Sequence, residues 1–253
     1  MQILVTVTAV SVPDDEFDGG LDERSLPHEW DAQAIEAAVR LREAHDAAEV
    51  VIAAIGPEEA VRDALARGPD RAVRVWDDRL ADTALDSQTK ARLLAGVAAE
   101  VDPDLVLTGV RSGGDGFAAT GVTLAARLDY GWATVVTDLN ADREAGVVSV
   151  RRELEGNVEE LTTVELPAVL TIQTGCNEPR YASLGAVRAA HRADIDVRSL
   201  ADLGLSPADI ERPLTRTGTS EPDRDGGVTH FEGSPEETAT ALAAVLREHG
   251  VGP

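Results

Sequence analysis

Of the 23 basic residues in this 253-residue chain, one is lysine, Lys90; the other 22 are arginine. Cysteine is equally scarce. Cys176 stands alone, which excludes an intrachain disulfide and a cysteine-based metal site. No apolar run approaches the roughly 18 residues of a membrane span. No basic cluster offsets the acids, so the electrostatic footprint that a polyanion needs is missing, and nucleic acid and an anionic membrane surface are excluded as expected partners. The five histidines, His28, His45, His191, His230 and His249, show no metal-ligand spacing. There is no Gly-x-Ser-x-Gly elbow, and no carboxylate pair stands out from the acidic background. The chain therefore offers no catalytic constellation.

What it has in excess is acid. Asp and Glu number 46, the formal net charge is −23, and 43% of residues are hydrophobic. The hydrophobic share excludes wholesale disorder. Acid excess with one lysine is what a cytosol of very high salt tolerates, because screening over about 3 Å at 1 M mutes self-repulsion. A halophilic source is the expectation; an ordinary acidic protein from a GC-rich genome is the alternative. Met1-Gln2-Ile3-Leu4-Val5 enters a strand pattern at once, without a charged leader, so a soluble cytoplasmic protein is expected.

Apolar strands alternate with amphipathic helices through the first half. Strands are expected at Ile3–Val10, Glu49–Ile55, Arg74–Trp76 and Asp104–Thr108. Helices are expected at Asp31–Glu43, with Asp31 as N-cap, from Gly56-Pro57 through Ala66, at Ser87–Glu100 and at Ala118–Leu128. This alternation predicts an α/β fold with a parallel sheet flanked by helices. Thr134–Leu139, Val147–Leu154, Val158–Val164 and Ala168–Ile172 read as an antiparallel extension, with Glu155-Gly156-Asn157 as a hairpin turn. From about residue 177 the chain reads as a proline-punctuated tail of low apolar density ending in one helix, about Pro235 to His249.

The loop after the fourth strand reads Gly109-Val110-Arg111-Ser112-Gly113-Gly114-Asp115-Gly116, then Phe117-Ala118-Ala119-Thr120-Gly121. Ligands of open α/β sheets sit at the carboxyl ends of strands. Glycines there let backbone N–H groups approach a phosphate, and the following helix N-terminus favours an anion. A nucleotide-phosphate site is one reading; an ordinary glycine-rich turn is the other. No Gly-Lys-Ser/Thr follows, so this is not a Walker A loop, and the dinucleotide fingerprint belongs after the first strand. The pyrophosphate loop of ATP-pyrophosphatase enzymes likewise follows the first strand and carries an Asp-Ser pair missing here.

The most specific segment is Asn177-Glu178-Pro179-Arg180-Tyr181-Ala182-Ser183-Leu184, which closely resembles the signature of the β subunit of electron transfer flavoprotein. The resemblance extends over nearly the whole chain, through Ile3–Val7, Glu29-Trp30-Asp31, Ile55-Gly56-Pro57, Pro103–Gly109, Asp115–Gly121, Arg152–Gly156 and Leu166–Thr171. It implies an adenine-nucleotide α-hydrolase-like, Rossmann-like domain over 1–198, with a recognition loop at 177–192, and a C-terminal arm over 199–253 that packs on a partner. It implies a heterodimer with an FAD-carrying α subunit, taking electrons from dehydrogenases of the acyl-CoA type and passing them to a membrane quinone oxidoreductase, with no catalytic turnover of its own. The β pocket would hold AMP, or a second FAD in bifurcating members. The nucleotide residues so implied are Thr6, the stretch His28-Glu29-Trp30-Asp31, Ile55, and Gly109 through Thr120. Leu184 matches the family's recognition-loop leucine, with Tyr181 beside it. The family often has Asn at the position of His28 and Asn-Gln at Ala118-Ala119. An adenine-nucleotide enzyme and a stress-type nucleotide-binding module are the alternatives; neither accounts for the Asn-Glu-Pro-Arg-Tyr stretch.

Overall fold

The computed structural model describes residues 1–12, 24–80, 85–112, 116–211, 218, 220 and 229–251. They fall into two compact units, Met1–Pro213 and Leu214–Pro253.

In the first unit the chain runs β1 (Gln2–Val12), β2 (Arg24–Pro27), α1 (Glu29–Ala44), β3 (Glu49–Ile55), α2 (Glu58–Ala66), β4 (Arg71–Val75), α3 (Ser87–Val101), β5 (Leu105–Gly109), α4 (Thr120–Leu128), β6 (Gly131–Asp142), β7 (Val147–Leu154), β8 (Val158–Glu165), β9 (Ala168–Ile172), α5 (Leu184–Arg192) and β10 (Asp196–Arg198). Nine strands lie in the order β10-β4-β3-β1-β5-β9-β6-β7-β8, and β2 pairs with β1 alone. Every pair from β10 across to β6 is parallel; β6–β7 and β7–β8 are antiparallel. The α/β expectation therefore holds.

The period of two in β1 sorts its side chains onto the two faces. Ile3, Val5 and Val7 join one core with Ile35, Val39, Leu41 and Val61 from α1 and α2. Leu4 points the other way, into a core with Leu93, Val97 and Leu124 from α3 and α4. A strand covered on both faces has no polar side, which is why these strands read as unbroken apolar runs.

Four expectations need correction. Ala168–Ile172 is not part of the antiparallel extension. As β9 it is wholly buried and inserts, parallel, between β5 and β6. The antiparallel excursion is thus β6 to β8 only, with residues 155–157 as its turn. Asp31 does not cap α1: that helix starts two residues earlier, His28 is the N-cap, and the Asp31 side chain turns inward. The third strand lies over Arg71–Val75 rather than Arg74–Trp76. The helix expected from Ala118 begins at Thr120, because Ala118 sits at φ 53°, in the left-handed region.

The segment after residue 177 carries more structure than its composition promises. α5 is capped by Ser183, whose Oγ accepts from the Ala186 N–H at 3.1 Å. β10 extends the sheet beside β4. Leu200 and Ile210 are buried with the α3–α4 core, and the first unit accordingly runs on past residue 198 to Pro213.

In the second unit, α6 (Pro235–Glu248) opens on a capping box in which the Ser234 and Glu237 side chains each accept from the other's backbone N–H. Leu242 and Leu246, four residues apart and so on one face, are exposed. The arm expected over 199–253 falls partly outside the described residues.

Candidate functional site

β1, β3 and β4 are laid down in one direction across the sheet; the chain then returns to place β5 on the other side of β1. The carboxyl ends of β1 and β5 diverge at this reversal, the place where open α/β sheets bind ligands. A pocket opens there, lined by Thr6 and Thr8 of β1, Asp31 of α1, Thr108 and Gly109 of β5, and Val110, Arg111, Ser112, Ala118, Ala119, Thr120 and Gly121 of the following loop and helix.

Asp31 ties the two strands together. Its Oδ2 accepts from the Thr8 N–H at 2.7 Å and its Oδ1 from the Gly109 N–H at 3.2 Å. Burial pushes this carboxyl up to about 7; the two N–H donors and the charge of Lys90 pull it back only in part. The chain's one lysine thus acts electrostatically on the floor of the pocket.

Two glycines allow the close approach that builds the site. A Cβ on Gly109 would stand 2.6 Å from Asp31 Oδ1 and 2.8 Å from Trp30 Cβ, so only glycine lets the start of α1 meet the end of β5. A Cβ on Gly121 would stand 2.6 Å from Thr171 Cγ2 and 2.8 Å from Thr108 Oγ1, and this contact seats α4 on β5 and β9. Ala119, the N-cap of α4, makes no side-chain capping bond, and Thr120 and Gly121 of the first turn line the pocket, where the positive end of the helix favours an anion. The positive φ of Ala118 is strain of the kind that gathers at ligand sites.

Beside the pocket, aromatic and basic groups stack. The rings of His28 and Trp30 lie 4.5 Å apart and 12° from parallel, and the Arg111 guanidinium lies 4.5 Å from the Trp30 ring centre. Trp30 Nε1 donates to Gln173 Oε1 at 3.0 Å. Burial lowers the His28 pKa and Arg111 adds to that, against the opposing pull of Glu29.

The structure brings together Thr6, Asp31, Gly109, Val110, Arg111, Ser112, Ala118, Ala119 and Thr120 of the expected nucleotide residues, and places His28 and Trp30 alongside through Arg111. Glu29 and Phe117 are exposed, outside the lining, and Gly116 closes the loop by donating to Ser112 O at 3.0 Å. Ile55 pairs in register with Thr8 and packs on the α3–α4 core. Gly113, Gly114 and Asp115 lie outside the described residues. Thr8 and Thr108 line the pocket without having been singled out, and Gly121, read as the end of the loop but not among the nucleotide residues, lines it too. Their signal was positional: a hydroxyl at the end of an apolar strand, and a glycine in the first turn of the next helix.

Tyr181 and Leu184 are 99% and 78% exposed. Leu161 and Phe117 are comparably open, at 76% and 74%; Tyr181 and Leu184 differ in standing three residues apart on one short segment, the start of an apolar patch rather than a lone side chain.

The electron transfer flavoprotein domain family matches residues 21–203. The β subunit of electron transfer flavoprotein from Methylophilus methylotrophus is 37% identical over 262 residues, covering 98% of both chains. The chain belongs to the electron transfer flavoprotein β-subunit family. The β subunits from pig and human are each 34% identical, covering 86% of this chain and 82% of theirs. An electron transfer flavoprotein β subunit has its place in electron transport. The alternatives of a pyrophosphatase-like enzyme or a stress-type module are not favoured. Among the described residues no helix is long and apolar enough to cross a membrane, and no cluster of His, Cys, Asp and Glu suits a metal ion.

Proposed function

We propose that this chain works as one half of a heterodimer, in the cytoplasm, with an α subunit that carries the redox FAD. It contributes a nucleotide pocket and a docking segment rather than chemistry of its own. The α subunit's FAD supplies electron storage; this chain binds, orients and recognises. Electrons arrive from dehydrogenases of the acyl-CoA type and leave to a membrane quinone oxidoreductase.

The observation that carries the nucleotide reading is the pocket at the β1–β5 reversal. Its donor set suits AMP. The N-terminus of α4, the Thr120 hydroxyl and the Arg111 guanidinium would take the phosphate, and Thr6 and Thr8 line the pocket from β1; the Thr108 hydroxyl is already spent on Gly109 O and packs against Gly121 of α4. Asp31 spends both carboxylate oxygens on backbone N–H groups, so its part is to hold the walls together rather than to meet the ligand. Tyr181 and Leu184 serve as the dehydrogenase contact: a small, apolar, exposed pair fits a transient complex that must release after electrons pass.

The test is to purify the chain with its co-expressed α subunit, denature the complex and identify what is released. One FAD and one AMP per heterodimer are expected. Two FAD would assign the β pocket to a second flavin, and no second nucleotide would overturn the pocket reading.

A further inference from the structure

Residues 173–183 form neither helix nor strand, yet they lead into the two most exposed large hydrophobic side chains among the described residues, Tyr181 and Leu184. An irregular segment this long has enough backbone freedom to present those side chains in many directions. It is instead fastened along one face of α1. Gln173 Oε1 accepts from Trp30 Nε1 at 3.0 Å. The Asn177 N–H donates to Gln33 Oε1 at 3.1 Å and Asn177 Nδ2 to Gln33 O at 2.9 Å. Arg40 Nη2 donates to Glu178 O at 3.2 Å. Positions 30, 33, 36, 40 and 43 recur at three- and four-residue intervals, so they form one stripe along the helix.

The last fastening is the strongest. The Arg180 guanidinium makes two forks at once. Nε and Nη2 donate to Glu36 at 2.7 and 3.1 Å, and Nη1 and Nη2 donate to Glu43 at 2.7 and 3.1 Å; the Arg180 backbone N–H adds a bond to Glu36 at 3.2 Å. The Glu36 side chain is only 4% exposed and also receives Arg40 Nε at 2.6 Å, so it is a buried carboxylate with its charge matched. Burial alone would raise its pKa, and the Arg180 and Arg40 bonds overcome that and hold it low. A planar guanidinium can grip two carboxylates in this way and a lysine cannot. Beyond Leu184, the far end of α5 is held by a second arginine: Arg62 Nη1 donates to Ala190 O at 2.6 Å and Ala193 O at 3.2 Å. The exposed pair is suspended between two arginine clamps set on α1 and α2.

We infer that Arg180 is a positioning residue for docking: its double fork to Glu36 and Glu43 fixes Tyr181 and Leu184 in the orientation a dehydrogenase partner meets. The inference rests on the docking role proposed above for Leu184. Holding the segment in place before encounter removes an ordering penalty from binding. Loss of the clamp therefore weakens docking and leaves the electron transfer step within the docked complex alone.

The experiment uses the heterodimer with a purified acyl-CoA dehydrogenase and its acyl-CoA as electron donor. Arg180→Gln is expected to raise KM for the heterodimer about tenfold, with kcat and the flavin spectrum unchanged. In a Leu184→Ala background the same substitution is expected to add clearly less than tenfold, because only Tyr181 is left to position. Glu43→Gln removes one fork at an exposed carboxylate, spares the buried Glu36 pair and is expected to give the same pattern at about threefold, should Arg180→Gln fail to assemble. An unchanged KM, or a full tenfold penalty in the Leu184→Ala background, would overturn the inference. If Leu184→Ala by itself leaves KM unchanged, the docking role of Leu184 is what fails. Amide exchange in the heterodimer then decides for Arg180: faster exchange at Ala186 and Val187 upholds the clamp, and unchanged exchange removes it.

Discussion

Replacing Asp31 with asparagine separates two opposing demands on one buried carboxylate. The side chain accepts two backbone N–H groups, which favours the charged form, and lies out of water, which favours the neutral one. Burial prevails: the pKa rises from 3.8 to about 7. The folded chain then holds this proton more tightly than the unfolded chain does, so the group's contribution to stability is fully present below about pH 4 and is lost as pH rises to about 7. Three units correspond to about 4 kcal/mol in all, lost at about 1.4 kcal/mol per pH unit. The asparagine of the variant cannot titrate and offers one acceptor where two are needed, leaving either Thr8 or Gly109 facing an NH2 group at a pH-independent cost of about 1–3 kcal/mol. The measurement is urea unfolding of wild type and Asp31→Asn at constant molar salt from pH 5 to 8.5. Subtracting one from the other cancels the remaining acids. The wild-type advantage should shrink by about 2 kcal/mol between pH 5 and pH 7 and level off above pH 7. A flat difference over this range would mean that the folded pKa is not raised, the two N–H bonds having offset or outweighed burial, and would refute the reasoning.

Other expectations follow from the same geometry. Lys90→Gln removes the cation that favours the Asp31 carboxylate, so the midpoint of that pH-dependent difference should move upward; a downward shift would contradict the assigned electrostatics. Gly121→Ala drives a methyl into Thr171 and Thr108 and should cost about 1–3 kcal/mol in urea unfolding and, on the nucleotide reading proposed for the pocket, lower the nucleotide retained on gel filtration. Leu184→Ala should weaken dehydrogenase docking without lowering thermal stability, since the side chain is 78% exposed; a lower melting temperature would argue for a packing role instead. If docking rests on the apolar pair as proposed, it escapes screening, and raising salt should leave electron transfer from the dehydrogenase unchanged or faster; a steep fall in rate would point to charge-driven docking.

The buried parallel strands were legible because burial on both faces leaves no alternation to misread. The same property misled at Ala168–Ile172. A short, mostly apolar run (four of its five residues) after three strands looked like a fourth of the same kind, but β8 shows alternating exposure while β9 is buried throughout, and continuous burial marks the centre of a parallel sheet. Asp31 was noticed for the right residue type and given the wrong task. A carboxylate near a helix start is a cap by local logic, and only the tertiary meeting of β1 with β5 turns it inward. The clamp of Arg180 on Glu36 joins residues 144 apart and has no local signal at all, and β10, three residues long, exists only because the edge of β4 is there to receive it.

The insertion of β9 between β5 and β6 has a consequence for biosynthesis. On the ribosome, β1 through β5 emerge first and can pair at once, but the outer edge of β5 has no neighbour until Ile172 has been made. Translation from Gly109 to Ile172 takes roughly 3 to 13 s at about 5–20 residues per second. For that interval a buried-type strand stands open to any other nascent edge. The β6–β8 excursion, made of sequential hairpin neighbours, can fold alone while it waits. Slowing translation between codons 110 and 172 should therefore raise aggregation of this chain more than an equal delay placed after codon 172.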